Sequence, residues 1–174
     1  MSLLEMLQQR HSIRKYTDED ITDRDLQTIL QAGLLSASGR AVRPWEFIVV
    51  RDKEMLQKMS ESRVGAAKML AHANVAIVVI ADVSKTDVWV EDCSIAMSNM
   101  HLAASVLGIG SCWIQGRLRK TPDDTTTEDY LRDLLGYPAG YHLEATLSLG
   151  MPAEEKSQTE LSALPVDKIH YEKY

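Results

Sequence analysis

Six consecutive residues, Val75-Ala76-Ile77-Val78-Val79-Ile80, carry no polar side chain and are mostly β-branched. Side chains of a strand alternate between its two faces, so such a run is stable only where both faces are covered. It predicts a buried strand with helices on either side. Trp45 to Val50, Ser111 to Gln115 and His142 to Leu149 read as further strands. Thr22 reads as a helix N-cap, with Asp23 and Asp25 in the first turn, where the helix dipole favours negative charge. Leu26, Ile29, Leu30, Gly33 and Leu34 follow at helical spacing. Other helical stretches are the stripe Leu3, Leu4, Met6, Leu7, ending near Arg10, then Asp52 to Ser60 and a piece near Lys68. The longest helix runs from about Val88 to Leu107. Its apolar positions Cys93, Ala96, Met97, Met100, Ala103, Ala104 and Leu107 cover a wide face and predict a central, buried element. Thr121-Pro122-Asp123 opens a last helix with Pro122 in its first turn, closing at Leu135-Gly136. Four or five strands amid more helix predict an α+β sandwich with helices on both faces of a mixed sheet. A doubly wound fold is the alternative, but its strand-first βα turn is missing.

A chain of 174 residues is one domain's worth, and no repeat, low-complexity stretch or linker divides it. A net charge of -6 without any basic run opposes nucleic-acid binding. Any phosphate groove must be a local exception to an acidic surface. Cys93 and Cys112 lie in apolar patterns and read as reduced core thiols. The opening Met1-Ser2-Leu3-Leu4-Glu5 is too polar for a signal peptide, and no apolar run approaches the roughly 20 residues of a membrane span. The expectation is a cytoplasmic protein with no membrane partner. The tail after Gly150 is polar, contains Pro152 and Pro165, and reads as extended.

Three segments carry chemistry. In Arg10-His11-Ser12-Ile13-Arg14, extended backbone turns Arg10, Ser12 and Arg14 to one side. Two guanidinium forks and a hydroxyl suit a phosphate monoester. A polar helix end and solvated turn explains the same residues. In Ser36 to Trp45, small residues permit close approach to a planar ligand, and an ordinary helix-to-strand loop is the alternative. Gly108-Ile109-Gly110-Ser111-Cys112-Trp113-Ile114-Gln115-Gly116 contains GxG, but Trp113 occupies the place of a third glycine and the motif follows a helix. Both features exclude a Rossmann fingerprint.

With Tyr16 and the tail segment Gly150-Met151-Pro152-Ala153-Glu154-Glu155-Lys156, these motifs stand in the order and spacing of the FMN-dependent nitroreductase family, which the chain resembles over nearly its whole length. The resemblance implies a three-layer sandwich with a mainly antiparallel sheet, and a homodimer with its flavins at the interface and its extended tail (about 151–174) packed on the partner. It implies that Arg10, His11, Ser12 and Arg14 hold the flavin phosphate and ribityl end, with Lys156 as a further cation. Lys68 is similar to a family lysine near the pyrimidine edge. Ile114, Gln115 and Gly116 would lie along the isoalloxazine, and Ser38 and Gly39 would reach the partner's flavin. Two departures stand in the loop: Ala41 and Arg43 replace the family's usual Asn and Gln. Arg43 either brings positive charge to the pyrimidine ring or faces solvent at a strand start.

The implied activity is ping-pong transfer of hydride from NAD(P)H, through FMN, to nitroaromatics, quinones or similar acceptors. The cofactor does the chemistry, so no catalytic side chain is named and no metal is expected. His11, His72, His101, His142 and His170 form no recognisable ligand set, and Glu91-Asp92 and Glu154-Glu155 read as solvent-facing. The rivals are other flavin chemistry on the same fold (dehalogenation, azoline oxidation, flavin breakdown), a non-catalytic flavin-binding module, and an interaction protein without cofactor.

Overall fold

The computed structural model describes residues 2–174; Met1, where the polar opening begins, lies outside them. The apolar run lies within β2 (Val75–Asp82), between β1 (Trp45–Val50) and β4 (Tyr141–Gly150), with β3 (Gly110–Gln115) beyond β4. The sheet order is β1-β2-β4-β3 and every strand pair is antiparallel. Among the described residues the parallel element of the expected mixed sheet is a single bridge, Ser12 to Ser111.

The run is buried on both faces because two separate cores flank it. On one side Val75, Ile77 and Val79, with Leu147 and Leu149 of β4, meet Leu26 and Ile29 of α2 (Asp23–Leu34) and Met97 and Met100 of α4 (Trp89–Val106). On the other, Ala76, Val78, Ile80 and Leu143 meet Leu56 and Met59 of α3 (Lys53–Met59) and Leu131 of α5 (Thr127–Leu135). Each fully buried aliphatic side chain contributes about 1.5–3 kcal/mol, and period-2 alternation divides β2 between the two cores. The result is the three-layer arrangement.

One helix starts later than the sequence predicts. Residues 121–126 form a loop closed by Thr121 N–H to Thr125 C=O (2.9 Å) and by a bridge between Lys120 and Thr126. Thr126 then caps α5, accepting from Asp129 N–H at 3.0 Å. Pro122 is therefore a loop residue. Gly136, at φ 74°, ends the helix in the left-handed conformation that glycine adopts without penalty.

Two parts contribute no buried residue. α1 (Leu3–Gln9) exposes Leu3, Leu4 and Leu7, and the tail beyond Glu154 is exposed throughout, with short 3-10 turns at Leu161–Ala163 and Val166–Lys168. They touch each other: Gln8 Nε2 donates to Thr159 C=O (2.9 Å) and Thr159 N–H donates to Gln8 C=O (3.1 Å). Among the described residues no helix is long and apolar enough to cross a membrane.

Candidate cofactor site

The segment after α1 is pinned by backbone and glycines. Ile13 N–H donates to Ser111 C=O (2.9 Å) at the open edge of β3, Thr17 N–H to Met151 C=O (2.8 Å), and Ala153 N–H to Lys15 C=O (2.9 Å). Arg14 N–H donates to Glu154 Oε1 at 2.7 Å. The Tyr16 hydroxyl donates to Ile13 C=O (2.8 Å) and shares a hydrogen bond with Ser148 Oγ (2.7 Å). Gly110 and Gly150 face each other across β3 and β4. A Cβ on Gly110 would stand 2.7 Å from Ile13 Cγ2, and one on Gly150 would stand 2.5 Å from Tyr16 Cγ. Those glycines are what allow residues 12–17 to lie flat on the sheet end. Glu154, read as solvent-facing, is a structural acceptor here; Arg14 N–H and Lys156 keep its carboxyl below the usual range.

The side chains divide. Ser12 and Arg14 stand beside the Cys112 thiol and pull its pKa down, while burial pushes it up more strongly. His11 and Ile13 line a pocket of about 140 Å³ with Gly108, Gly110, Pro152 and Lys156. Lys156 Nζ lies 3.3 Å from Glu154 Oε2. Arg10 is the C-cap of α1 and its backbone is already extended (φ -67°, ψ 118°). Its Nη1 lies 2.9 Å from Nε2 of His101, a buried residue of α4. His101 Nδ1 in turn lies 2.5 Å from Ser111 Oγ. Burial, and secondarily the Arg10 charge, lower the His101 pKa to about 4.

Beyond Ser111 the outer edge of β3 is open. Backbone groups of an antiparallel strand alternate in direction, so Trp113 and Gln115 point the way Ser111 does, away from β4. Arg63 reaches this edge and donates to Gln115 C=O at 3.2 Å. It is half-buried, and desolvation first and Arg119 second lower its pKa. Nothing in the sequence around Arg63 marks it, so sequence reasoning missed it. Of Ile114, Gln115 and Gly116, only Gln115 meets the open edge. Ile114 packs in the core beside α3 and α5, and Gly116 N–H is bonded to Glu144 C=O at 3.2 Å. Gly116 is small because a Cβ there would collide with Leu143 Cδ2.

The other predicted residues lie apart from the clamp within one chain. Lys68 is exposed and paired with Glu61 (2.9 Å). Ser38 Oγ accepts from Arg43 N–H (2.9 Å), and Gly39 N–H donates to Asp92 Oδ1 (2.8 Å). Asp92 is thus buried at 2% exposure, not solvent-facing as its sequence context predicts. Arg40, Ala41 and Arg43 all have positive φ (53°, 58° and 50°), an uncommon conformation for residues with a Cβ. This loop is therefore held in a specific, locally costly shape.

The donor set fits a flavin phosphate. Among the described residues neither Arg10 nor Arg14 has a carboxylate within ion-pair distance, although acidic residues outnumber basic ones 25 to 19. His11 Nε2 is buried without a partner beside the small pocket. An orphaned buried imidazole nitrogen is costly until a partner completes it, and guanidiniums without a carboxylate keep their full charge for an anion. An open strand edge nearby offers backbone donors to a ring.

Comparison with known proteins agrees. The model of the nitroreductase family matches residues 7–67 and 56–151. A protein of Archaeoglobus fulgidus, provisionally named NADH dehydrogenase/NAD(P)H nitroreductase, is 44% identical, with 98% of each chain covered. The solved FMN-dependent nitroreductase of Clostridium difficile R20291 superposes at TM-score 0.96 with 43% identity, covering 99% of this chain and 100% of that one. A provisionally named nitroreductase from Desulfovibrio desulfuricans, crystallised in complex with FMN, superposes at 0.76 with 27% identity, covering 98% and 96%. The fold is the three-layer α+β sandwich of these neighbours. The chain belongs to the nitroreductase family, whose fold and names mark it as an oxidoreductase.

Proposed function

We propose that the protein is an FMN-dependent NAD(P)H oxidoreductase that reduces nitroaromatics, quinones or similar electron-poor compounds in ping-pong order. The observation that carries this reading is the pair of carboxylate-free guanidiniums, Arg10 and Arg14, on a segment locked to the sheet end by Gly110 and Gly150. Bound FMN would supply the redox chemistry, accepting hydride from NAD(P)H and passing it to the second substrate. The chain's own residues bind and orient. Arg10, Ser12, Arg14 and Lys156 hold the phosphate end, with His11 Nε2 a further polar contact. The backbone amides of Trp113 and Gln115, on the open edge of β3, are placed to donate to a ring laid along it. Arg63, and Lys68 once released from Glu61, supply positive charge toward that ring.

The same reading makes the protein a homodimer with shared flavin sites. Support comes from α1 and the tail, which leave Leu3, Leu4, Leu7, Leu161, Leu164 and Ile169 exposed. It comes also from the loop at Ser38, Gly39 and Arg43. Asp92, which anchors it, is nine residues from His101, about 13 Å along α4. Within one chain the loop and the clamp thus stand toward opposite ends of α4, and in the proposed dimer the second copy supplies the loop. The test is direct. The purified protein carries flavin absorbance and oxidises NAD(P)H when menadione or a nitroaromatic is added. A colourless protein that takes up no FMN refutes the reading; bound FMN without turnover indicates a non-catalytic flavin module.

A further inference from the structure

We propose that His101 is the positioning residue of the phosphate clamp: its neutral imidazole aims Arg10 without cancelling the charge that Arg10 must present. This rests on the FMN reading above and concerns how one of its groups is held. Arginine has donors and no acceptor, so the Arg10 Nη1–H at 2.9 Å must donate to a lone pair on His101 Nε2. The ring proton is then on Nδ1 and donates to Ser111 Oγ at 2.5 Å. One tautomer satisfies both contacts: the donor-only guanidinium fixes it, and Ser111 Oγ accepts the remaining ring proton. Ser111 is also the residue whose carbonyl receives Ile13 N–H at 2.9 Å. A single position on β3 therefore sets the backbone of the clamp and, through His101, the direction of its first guanidinium.

The choice of partner has a physical reason. Arginine side chains in folded proteins are most simply oriented by carboxylates, whose bidentate bonds fit the guanidinium fork. A carboxylate here would neutralise Arg10 and repel the phosphate dianion. A neutral imidazole uses one N–H and leaves Nη2 and Nε, with the full charge, for the ligand. His101 is only 6% exposed, so solvent offers it little competition for these bonds. No described salt bridge involves Arg10, and its described side-chain hydrogen bond is the one to His101, which is thus its structural tether.

Binding of FMN and of riboflavin, which shares the ring but lacks the phosphate, tests this on the apo-protein by flavin fluorescence. His101→Phe removes the acceptor and should weaken FMN roughly tenfold, as for partial loss of one charge-assisted bond, with riboflavin unchanged. His101→Gln keeps a neutral acceptor and should restore FMN to within a few-fold. Should His101→Phe fail to fold, Ser111→Ala, which takes away the acceptor of the Nδ1 proton and loosens the ring, carries the same signature in weaker form. Equal losses for both flavins, or no loss of FMN, overturn the proposal. Failure of the wild-type protein to bind FMN is a different result and overturns the FMN reading itself.

Discussion

Gly150→Ala should detach the clamp from the sheet. The added Cβ would stand 2.5, 2.6 and 2.7 Å from three atoms of Tyr16, where ordinary contacts begin near 3.4 Å. The ring must retreat by almost an ångström. Its hydroxyl bonds, now 2.8 Å to Ile13 C=O and 2.7 Å to Ser148 Oγ, would stretch beyond hydrogen-bonding range. Overpacking costs about 1–3 kcal/mol, and each lost bond of the buried phenol adds about 1. The total is about 3–5 kcal/mol, with FMN affinity falling as Arg14 shifts with Tyr16. Urea denaturation measures the first effect and flavin titration the second. The decisive comparison is a double-mutant cycle: in a Tyr16→Gly background, which removes all three clashing atoms, the same Gly150→Ala should cost far less, giving strong coupling. Additive effects would refute the account of why that glycine is there.

Two further outcomes follow from named groups. His101 is held at a pKa of about 4 against an ordinary 6.5, so between those values the unfolded chain binds a proton that the folded chain refuses. Stability should fall as pH drops through that window, by up to about 3 kcal/mol from this residue. Urea midpoints of wild type and His101→Gln, compared from pH 7 to pH 4 at one protein concentration, should converge on acidification; parallel curves contradict the assignment. Arg43→Gln should lower the flavin midpoint potential if the strained loop brings Arg43 to a partner's flavin. An unchanged potential would leave Arg43 as a solvent-facing residue.

The layer arrangement was legible because its signals are local. The β2 run, the Thr22 cap and the wide apolar face of α4 are each confined to one short stretch of chain. What escaped depends on distant partners. Asp92 looks solvent-facing until Gly39, 53 positions away, donates to it. Pro122 resembles a helix start, yet Thr126 offers the better cap and Thr121 closes a loop instead. His101 belongs to no ligand set recognisable in the sequence, since its partners Arg10 and Ser111 are set by how α4 packs on the sheet end. The glycines were seen but for another reason. Gly116 suggested close approach to a ligand, whereas its neighbour is Leu143; Gly110 and Gly150 make room for Ile13 and Tyr16. Residue order pointed to the segment proposed as the clamp, and only the fold explains how it is seated.

The central claim is that Arg10 and Arg14 hold the phosphate of FMN. Its most direct test is the dissociation constant of FMN for the double variant Arg10→Ala, Arg14→Ala, measured by flavin fluorescence against the wild type. Charge-assisted bonds to phosphate are worth roughly 1.5–3 kcal/mol each, so affinity should fall by two or more decades. A double variant that binds FMN as tightly as the wild type would contradict the account.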